Sequence, residues 1–148
     1  MHILISACLL GINCKYNGGN NLTRGIVETL GEKHNIIPVC PESLGGLKSP
    51  RLPSELRNGA VYSKDGIDVT DYFLTGAEKV LYIAKKNNAE AAILKSNSPS
   101  CGYGKIYDGT FSGNLVDGNG VTAGILAENG IKIYNENNWS ELADSLKG

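Results

Sequence analysis

Short apolar runs, each closed by glycine, proline or asparagine, alternate along the chain with stretches of helical periodicity. His2-Ile-Leu-Ile-Ser-Ala7 is continuous and rich in branched side chains, which predicts a buried strand. A polar, glycine-bearing loop from Gly11 to Asn21 follows. Leu22, Ile26, Val27 and Leu30 then recur at one-face spacing and predict a first helix ending near His34. Ile36 to Cys40 predicts a buried second strand, with Pro38 arguing against a central place in the sheet. Pro41 to Asn58 carries Pro41, Pro50, Pro53 and Gly45-Gly46, so it reads as a long loop without regular helix or interior strand. A loop of that length in a compact domain is usually functional, and it is expected to wall the site.

Ala60 to Ser63 and Ile67 to Thr70 flank Lys64-Asp-Gly66, which fits either a small hairpin or an irregular excursion. Phe73, Ala77, Val80, Leu81 and Ala84 form an apolar helical face, with Thr70 or Asp71 as N-cap and Lys85-Lys86 complementing the C-terminal dipole. Ala91 to Leu94 predicts a third strand, Gly120 to Asn129 a helix closed by Gly130, and Ile131 to Tyr134 a fourth strand. Asn138 and Glu141 resemble the capping box of a last helix.

Strand and helix thus alternate about four times. That order predicts an α/β fold: one three-layer domain over residues 1–148, Rossmann- or flavodoxin-like, with a mostly parallel sheet of about four strands. The spatial order 2-1-3-4 would place Cys8 and Cys101 astride the point where strand order reverses, the place where such sheets bind ligands. No repeat or linker divides the chain.

Composition narrows the function. The 148 residues are 41% hydrophobic and 20% charged with a net charge of -1, a balance that argues against a broad polyanion-binding surface. No membrane partner and no intact nucleic acid is expected. No apolar run approaches the roughly 20 residues of a membrane span. Ile5-Ser-Ala-Cys8 superficially resembles a lipoprotein cleavage site but lacks the basic residue and the long apolar stretch of one. A cytoplasmic protein with reduced thiols is therefore expected, as a monomer or weak dimer.

Of the four cysteines, Cys8 and Cys40 close predicted strands and Cys101 lies a few residues beyond the third. If the strands are parallel, their thiols meet in one crevice. Three convergent thiols suit a metal or iron-sulfur centre with an open position. Adding Cys14 makes a four-cysteine cluster or zinc module without catalysis, and this alternative stays open. A histidine-containing zinc site is disfavoured, because His2 and His34 stand at no metal-binding spacing from a cysteine. Glu42, after Cys40-Pro41, is a candidate general acid or base, or else an ion-pair partner of Arg51 or Lys48. Ser98 and Ser100 are candidates for orienting substrate or water, or else satisfy their turn. Lys95 either meets an anionic group in the crevice or is a solvated strand-end lysine. The glycine-rich Asp108 to Gly113 segment lacks the Gly-Lys-Ser/Thr of a phosphate loop.

Six segments together resemble one family. They are Ser6-Ala-Cys-Leu-Leu-Gly11, Cys14-Lys-Tyr-Asn-Gly18, Val39-Cys-Pro-Glu42, Leu44-Gly-Gly46, Ser98-Pro-Ser-Cys-Gly102 and Tyr107-Asp-Gly-Thr-Phe-Ser-Gly113. In this order, and over essentially the whole length, the chain is similar to the thiouracil desulfidase family. The resemblance implies a [4Fe-4S] cluster held by Cys8, Cys40 and Cys101, with Cys14 not a ligand. It further implies that the open iron acts as a Lewis acid on the thiocarbonyl of a small thiolated pyrimidine, water replacing sulfur without net redox change. On that analogy Glu42 activates water or delivers a proton, and Ser98 or Ser100 positions the base.

Overall fold

The computed structural model describes residues 1–147. In chain order the elements are β1 (His2–Ser6), a 3-10 turn over Ala7–Leu10, α1 (Ile26–Leu30), β2 (Asn35–Val39), α2 (Pro41–Leu44), β3 (Ser54–Arg57) and β4 (Ala60–Ser63). There follow α3 (Thr70–Lys86), β5 (Ala91–Ile93), β6 (Lys105–Tyr107), β7 (Leu115–Asp117), α4 (Val121–Glu128), β8 (Lys132–Tyr134) and α5 (Trp139–Ser145).

A four-stranded sheet runs in the order β2-β1-β5-β8, parallel throughout. This is the expected 2-1-3-4 arrangement, and Ile3 stands opposite Ile36 on one side and Ala91 on the other. The period of two in a strand divides its residues between two apolar layers. Leu4, Ala92 and Leu94 join Val80 and Ala84 of α3 and Ala123 and Leu126 of α4. Ile3, Ile5, Ala91 and Ile93 turn the other way, toward Ile26 and Leu30 of α1 and Leu142 of α5. Helices therefore cover both faces, and every loop leaving a strand of this sheet emerges at one edge.

Several local expectations are corrected. The first helix is shorter than its periodicity suggests, because Gly25 sits in the left-handed region at φ +96 and α1 starts only after it. Leu22 and Val27 are left exposed. β2 is an edge strand with a mixed burial pattern, not a buried one, and that placement accommodates Pro38, whose missing N–H faces no partner strand. The stretch expected to be loop contains α2, opened by Pro41 at its first turn, and β3. β3 pairs with β4 around Asn58-Gly59, both at positive φ as a tight hairpin turn requires. Of the two readings of the segment around Lys64-Asp-Gly66, the structure shows a small antiparallel return without a second regular strand: Tyr62 bridges Asp68, and the Ser63 and Val69 N–H groups donate to Ile67 O and Val61 O at 2.9 and 2.8 Å. The antiparallel β6–β7 pair was not anticipated. Neither Thr70 nor Asp71 caps α3; the Asp68 carboxylate accepts from the Thr70 N–H at 2.9 Å instead. Asn138 makes no capping bond to α5 and accepts from the Asn135 N–H at 2.7 Å.

One contact fixes the site wall. α2 crosses α3 where both carry glycine: a Cβ on Gly76 would lie 1.9 Å from the Pro41 carbonyl oxygen, and one on Gly45 equally close, at 1.9 Å, to that of Tyr72. Only bare backbone allows this approach, and it seats Glu42 over the sheet edge. No helix among the described residues is long and apolar enough to cross a membrane.

Candidate functional site

A cavity of about 530 Å3 opens at the edge where the strands of the parallel sheet end. Cys8, Cys14, Cys40 and Cys101 all line it, together with Glu42, Lys95, Ser98 and Ser100. Every residue singled out from the sequence is brought to this one space. All four cysteines are free thiols, Cys101 buried and the others half-buried.

The local sequence explains each position. Cys8 follows β1 on the 3-10 turn, and Cys40 follows β2 directly, immediately before Pro41 starts α2. Cys101 lies in the loop after β5, which the start of α4 braces: the Val121 N–H donates to Pro99 O, and those of Thr122 and Ala123 to Ser100 O, at 2.9 to 3.0 Å. The free N–H groups of a helix start thus find carbonyl partners in the site loop. The Ser98 hydroxyl oxygen accepts from the Cys101 N–H at 2.7 Å, setting the thiol's direction.

Polar groups converge on the sulfurs. Asn21 donates an amide N–H to Cys8 Sγ at 3.5 Å, and the hydroxyls of Ser6 and Ser100 reach Cys101 Sγ at 3.4 and 3.7 Å. The Cys14 thiol lies against both Cys8 and Cys40 and lowers their pKa values, to about 7 and about 5 respectively, against the opposing effect of burial. Asn21 adds to the effect at Cys8, and Ser43 and Arg51 to that at Cys40. Cys14 itself is driven strongly upward by the same two neighbours and keeps its proton. Burial pushes the Cys101 thiol up to about 12 despite the two serine hydroxyls. Among the described residues no three His, Cys, Asp or Glu side chains are gathered closely enough to hold a single metal ion. Two thiols drawn toward the thiolate, Cys8 and Cys40, share the cavity with the buried Cys101, and hydrogen-bond donors are aimed at Cys8 and Cys101; a donor set of this kind fits an iron-sulfur cluster.

Glu42 closes the next side. Its carboxylate accepts from Ser100 Oγ at 3.0 Å through Oε2 and from Arg51 Nε at 3.3 Å through Oε1. The ion-pair reading of Glu42 holds with Arg51, not Lys48, and the paired carboxylate lines the cavity. Burial raises its pKa, and Arg51 and Ser100 pull back part of the shift. Arg51 also donates to the Cys14 carbonyl at 3.0 Å, tying the Cys14 loop to the carboxylate. Ser98 and Ser100 stand 3.3 Å apart, so a run of hydroxyls leads from the Cys101 backbone to Glu42.

Lys95 is neither free for an anion nor simply solvated. Its ammonium pairs with Glu136 Oε2 at 2.8 Å, and Glu136 also accepts from the Ser96 N–H and hydroxyl, both at 2.8 Å. Burial opposes ionisation of Glu136, but Lys95 and Ser96 outweigh it and hold the carboxyl below its usual range. A pKa lower in the folded than in the unfolded chain gives a stabilisation complete above the unfolded value, near 4.3, and lost as pH falls through the folded value. Glu136→Gln is therefore expected to cost about 1–2 kcal/mol near neutral pH. The gap from wild type should close on acidification below about pH 4, as read by denaturant unfolding across pH.

From the sequence, Glu136, Asn21 and Glu55 receive no site role, Ser6, Tyr107 and Phe111 are named only within motifs, and Arg51 only as a partner for Glu42; two hairpins bring Glu55, Tyr107 and Phe111 to the cavity. Ser6 carried a signal of its own: a hydroxyl inside an apolar strand, buried to 2% exposure, needs a partner.

Comparison with known proteins agrees with this geometry. A family model described as 2-thiouracil desulfurase matches residues 3–138. The Bacillus subtilis (strain 168) protein YbbK, described as uncharacterized, is 43% identical over 150 aligned positions, covering 95% of this chain and 99% of that protein. Among solved structures, the [4Fe-4S]-dependent thiouracil desulfidase TudS superposes with a TM-score of 0.92 at 38% identity, covering 99% of this chain and 97% of that one.

Proposed function

The chain belongs to the 2-thiouracil desulfurase family, and from that premise we propose that it is a single-domain enzyme with a [4Fe-4S] cluster as cofactor. It removes sulfur from a small thiolated pyrimidine: water replaces sulfur at the ring carbon, C=S becomes C=O, and sulfide leaves. Carbon keeps its oxidation level, so no external electron donor is needed. The observation that carries this reading is the meeting of Cys8, Cys40 and Cys101 from three separate strand ends on one cavity, with the Ser100–Glu42–Arg51 chain beside them.

Cys8, Cys40 and Cys101 are assigned as ligands. When bound, a cluster held by three thiolates supplies an iron with an exchangeable position that polarises a thiocarbonyl as a Lewis acid. The remaining work falls to the protein. Asn21 directs a hydrogen-bond donor at Cys8 Sγ and Ser6 one at Cys101 Sγ, which favours the thiolate at each. Glu42 takes a proton from the incoming water at its carboxylate and returns it to the departing sulfur. Ser100 fixes Oε2 of that carboxylate while Arg51 fixes Oε1, so the acid–base group turns neither way. Ser98 and Ser100 orient the base, and Lys95, neutralised by Glu136, shapes the wall without attracting stray anions.

A cavity of about 530 Å3 is of the size of small-molecule sites. A net charge of -1 over the whole chain favours a free base over one within intact nucleic acid. The test is anaerobic incubation of the iron-loaded protein with 2-thiouracil and with 4-thiouracil, without reductant. Thiocarbonyl absorbance should disappear as uracil and sulfide form in equal amounts. Turnover of neither compound would remove the proposed substrate.

A further inference from the structure

The cavity is completed by groups that the parallel sheet does not supply. Phe111 reaches it from the loop joining β6 and β7, and Glu55 from β3. Phe111 is half-buried yet packs into none of the three apolar clusters of the fold. Its ring serves the cavity and not the core.

Its backbone stands at φ +57, a region that bulky residues avoid because Cβ crowds the neighbouring carbonyl. Such a conformation persists only when the surroundings over-determine it. Here they do: one oxygen of Glu55, Oε1, accepts from both the Gly109 N–H at 3.0 Å and the Phe111 N–H at 3.1 Å. Gly109, at φ +91, lies so close to β3 that a Cβ would stand 2.7 Å from the Leu56 carbonyl oxygen. The Asp108 carboxylate accepts from the Thr110 N–H at 2.9 Å and rigidifies the span between them. A carboxylate from one hairpin thus clasps the loop of the other and holds an aromatic ring at the cavity.

We infer that Phe111 is the platform on which the planar pyrimidine lies, and that Glu55 is a positioning residue that holds the platform. Stacking on an aromatic face suits a flat heterocycle and tolerates any pattern of ring substituents. It leaves the ring edge free to present its sulfur to the cysteine side of the site. The inference rests on the proposed desulfuration only for the identity of the ring.

The test measures binding rather than turnover. Calorimetric titration of the iron-loaded protein with uracil, and with 5,6-dihydrouracil, compares a flat ring with a puckered one carrying the same polar edge. Wild type should prefer uracil. Phe111→Leu should weaken uracil binding roughly tenfold to a hundredfold and lose most of the preference, while Phe111→Tyr keeps it. Glu55→Ala should mimic Phe111→Leu, and Glu55→Gln, whose carbonyl still accepts both N–H groups, should restore the preference. Iron content and thermal midpoint, measured on every variant, identify a loss of folding, which alone would not change the ratio of the two affinities. An unchanged ratio in Phe111→Leu overturns the platform while leaving desulfuration intact. A Phe111-dependent ratio without thiouracil turnover leaves the platform and removes the activity. Failure of wild type to bind uracil overturns the platform outright.

Discussion

Replacing Cys8, Cys40 or Cys101 singly by serine is expected to abolish the bound cluster, with iron and acid-labile sulfide falling to background and desulfuration falling with them. Cys14→Ser is expected to retain both. The three proposed ligand positions share one origin, the edge where β1, β2 and β5 end, and each is fixed by backbone that the thiol itself does not determine: the 3-10 turn at Cys8, the Pro41 start of α2 at Cys40, the α4-braced loop at Cys101. Removing one sulfur leaves two thiolates, which cannot hold the cluster with only one iron open. Serine is nearly isosteric, and Cys101 is the only one of the three fully buried in the core. The apo-proteins should therefore fold, which a near-wild-type far-UV spectrum checks. Cys14 differs: it lies against Cys8 and Cys40 on a loop held by Arg51 and keeps its own proton. Cluster loss in Cys14→Ser would instead favour a four-cysteine module without an open iron, and with it a non-catalytic role.

The outcome also bears on how the site could be read from sequence. β1, β5 and α3 were legible because their apolar periods are local and their partners redundant; any parallel pairing of such strands gathers the loops that follow them. That rule alone brings the three cysteines together, without any spacing motif. β3 and β6 were missed for the opposite reason. Each has three to four residues of mixed burial, stabilised by pairing with the next strand, so periodicity carries no signal. The groups that orient the site chemistry escaped because their contacts are long-range. Glu136 meets Lys95 and Ser96 from beyond β8, and Glu55 holds Phe111 from another hairpin. Arg51 was visible as a partner for Glu42, but its second bond, to the Cys14 carbonyl, depends on a fold-level meeting of two loops.

Glu42→Gln should lower kcat by about 10²–10⁴-fold, the range ascribed to a positioned acid–base group, with KM and cluster content near wild type. The substitution is chosen because it conserves shape: an amide oxygen still accepts a hydrogen bond at the place where Ser100 or Arg51 now donates, so the contact of α2 with α3 and the position of the Cys14 loop are preserved. What it removes is the capacity to take a proton from water and hand it on. Steady-state sulfide release under anaerobic conditions reads kcat and KM, and iron content of the same sample separates chemistry from cofactor loss. Ser100→Ala provides the graded comparison. It leaves the carboxylate in place but frees Oε2, so its loss should be smaller than that of Glu42→Gln and should fall on kcat as well. If Glu42→Gln turns over thiouracil at the wild-type rate, the carboxylate only anchors Arg51 and the Cys14 loop, and the proton must be moved by another group in the cavity.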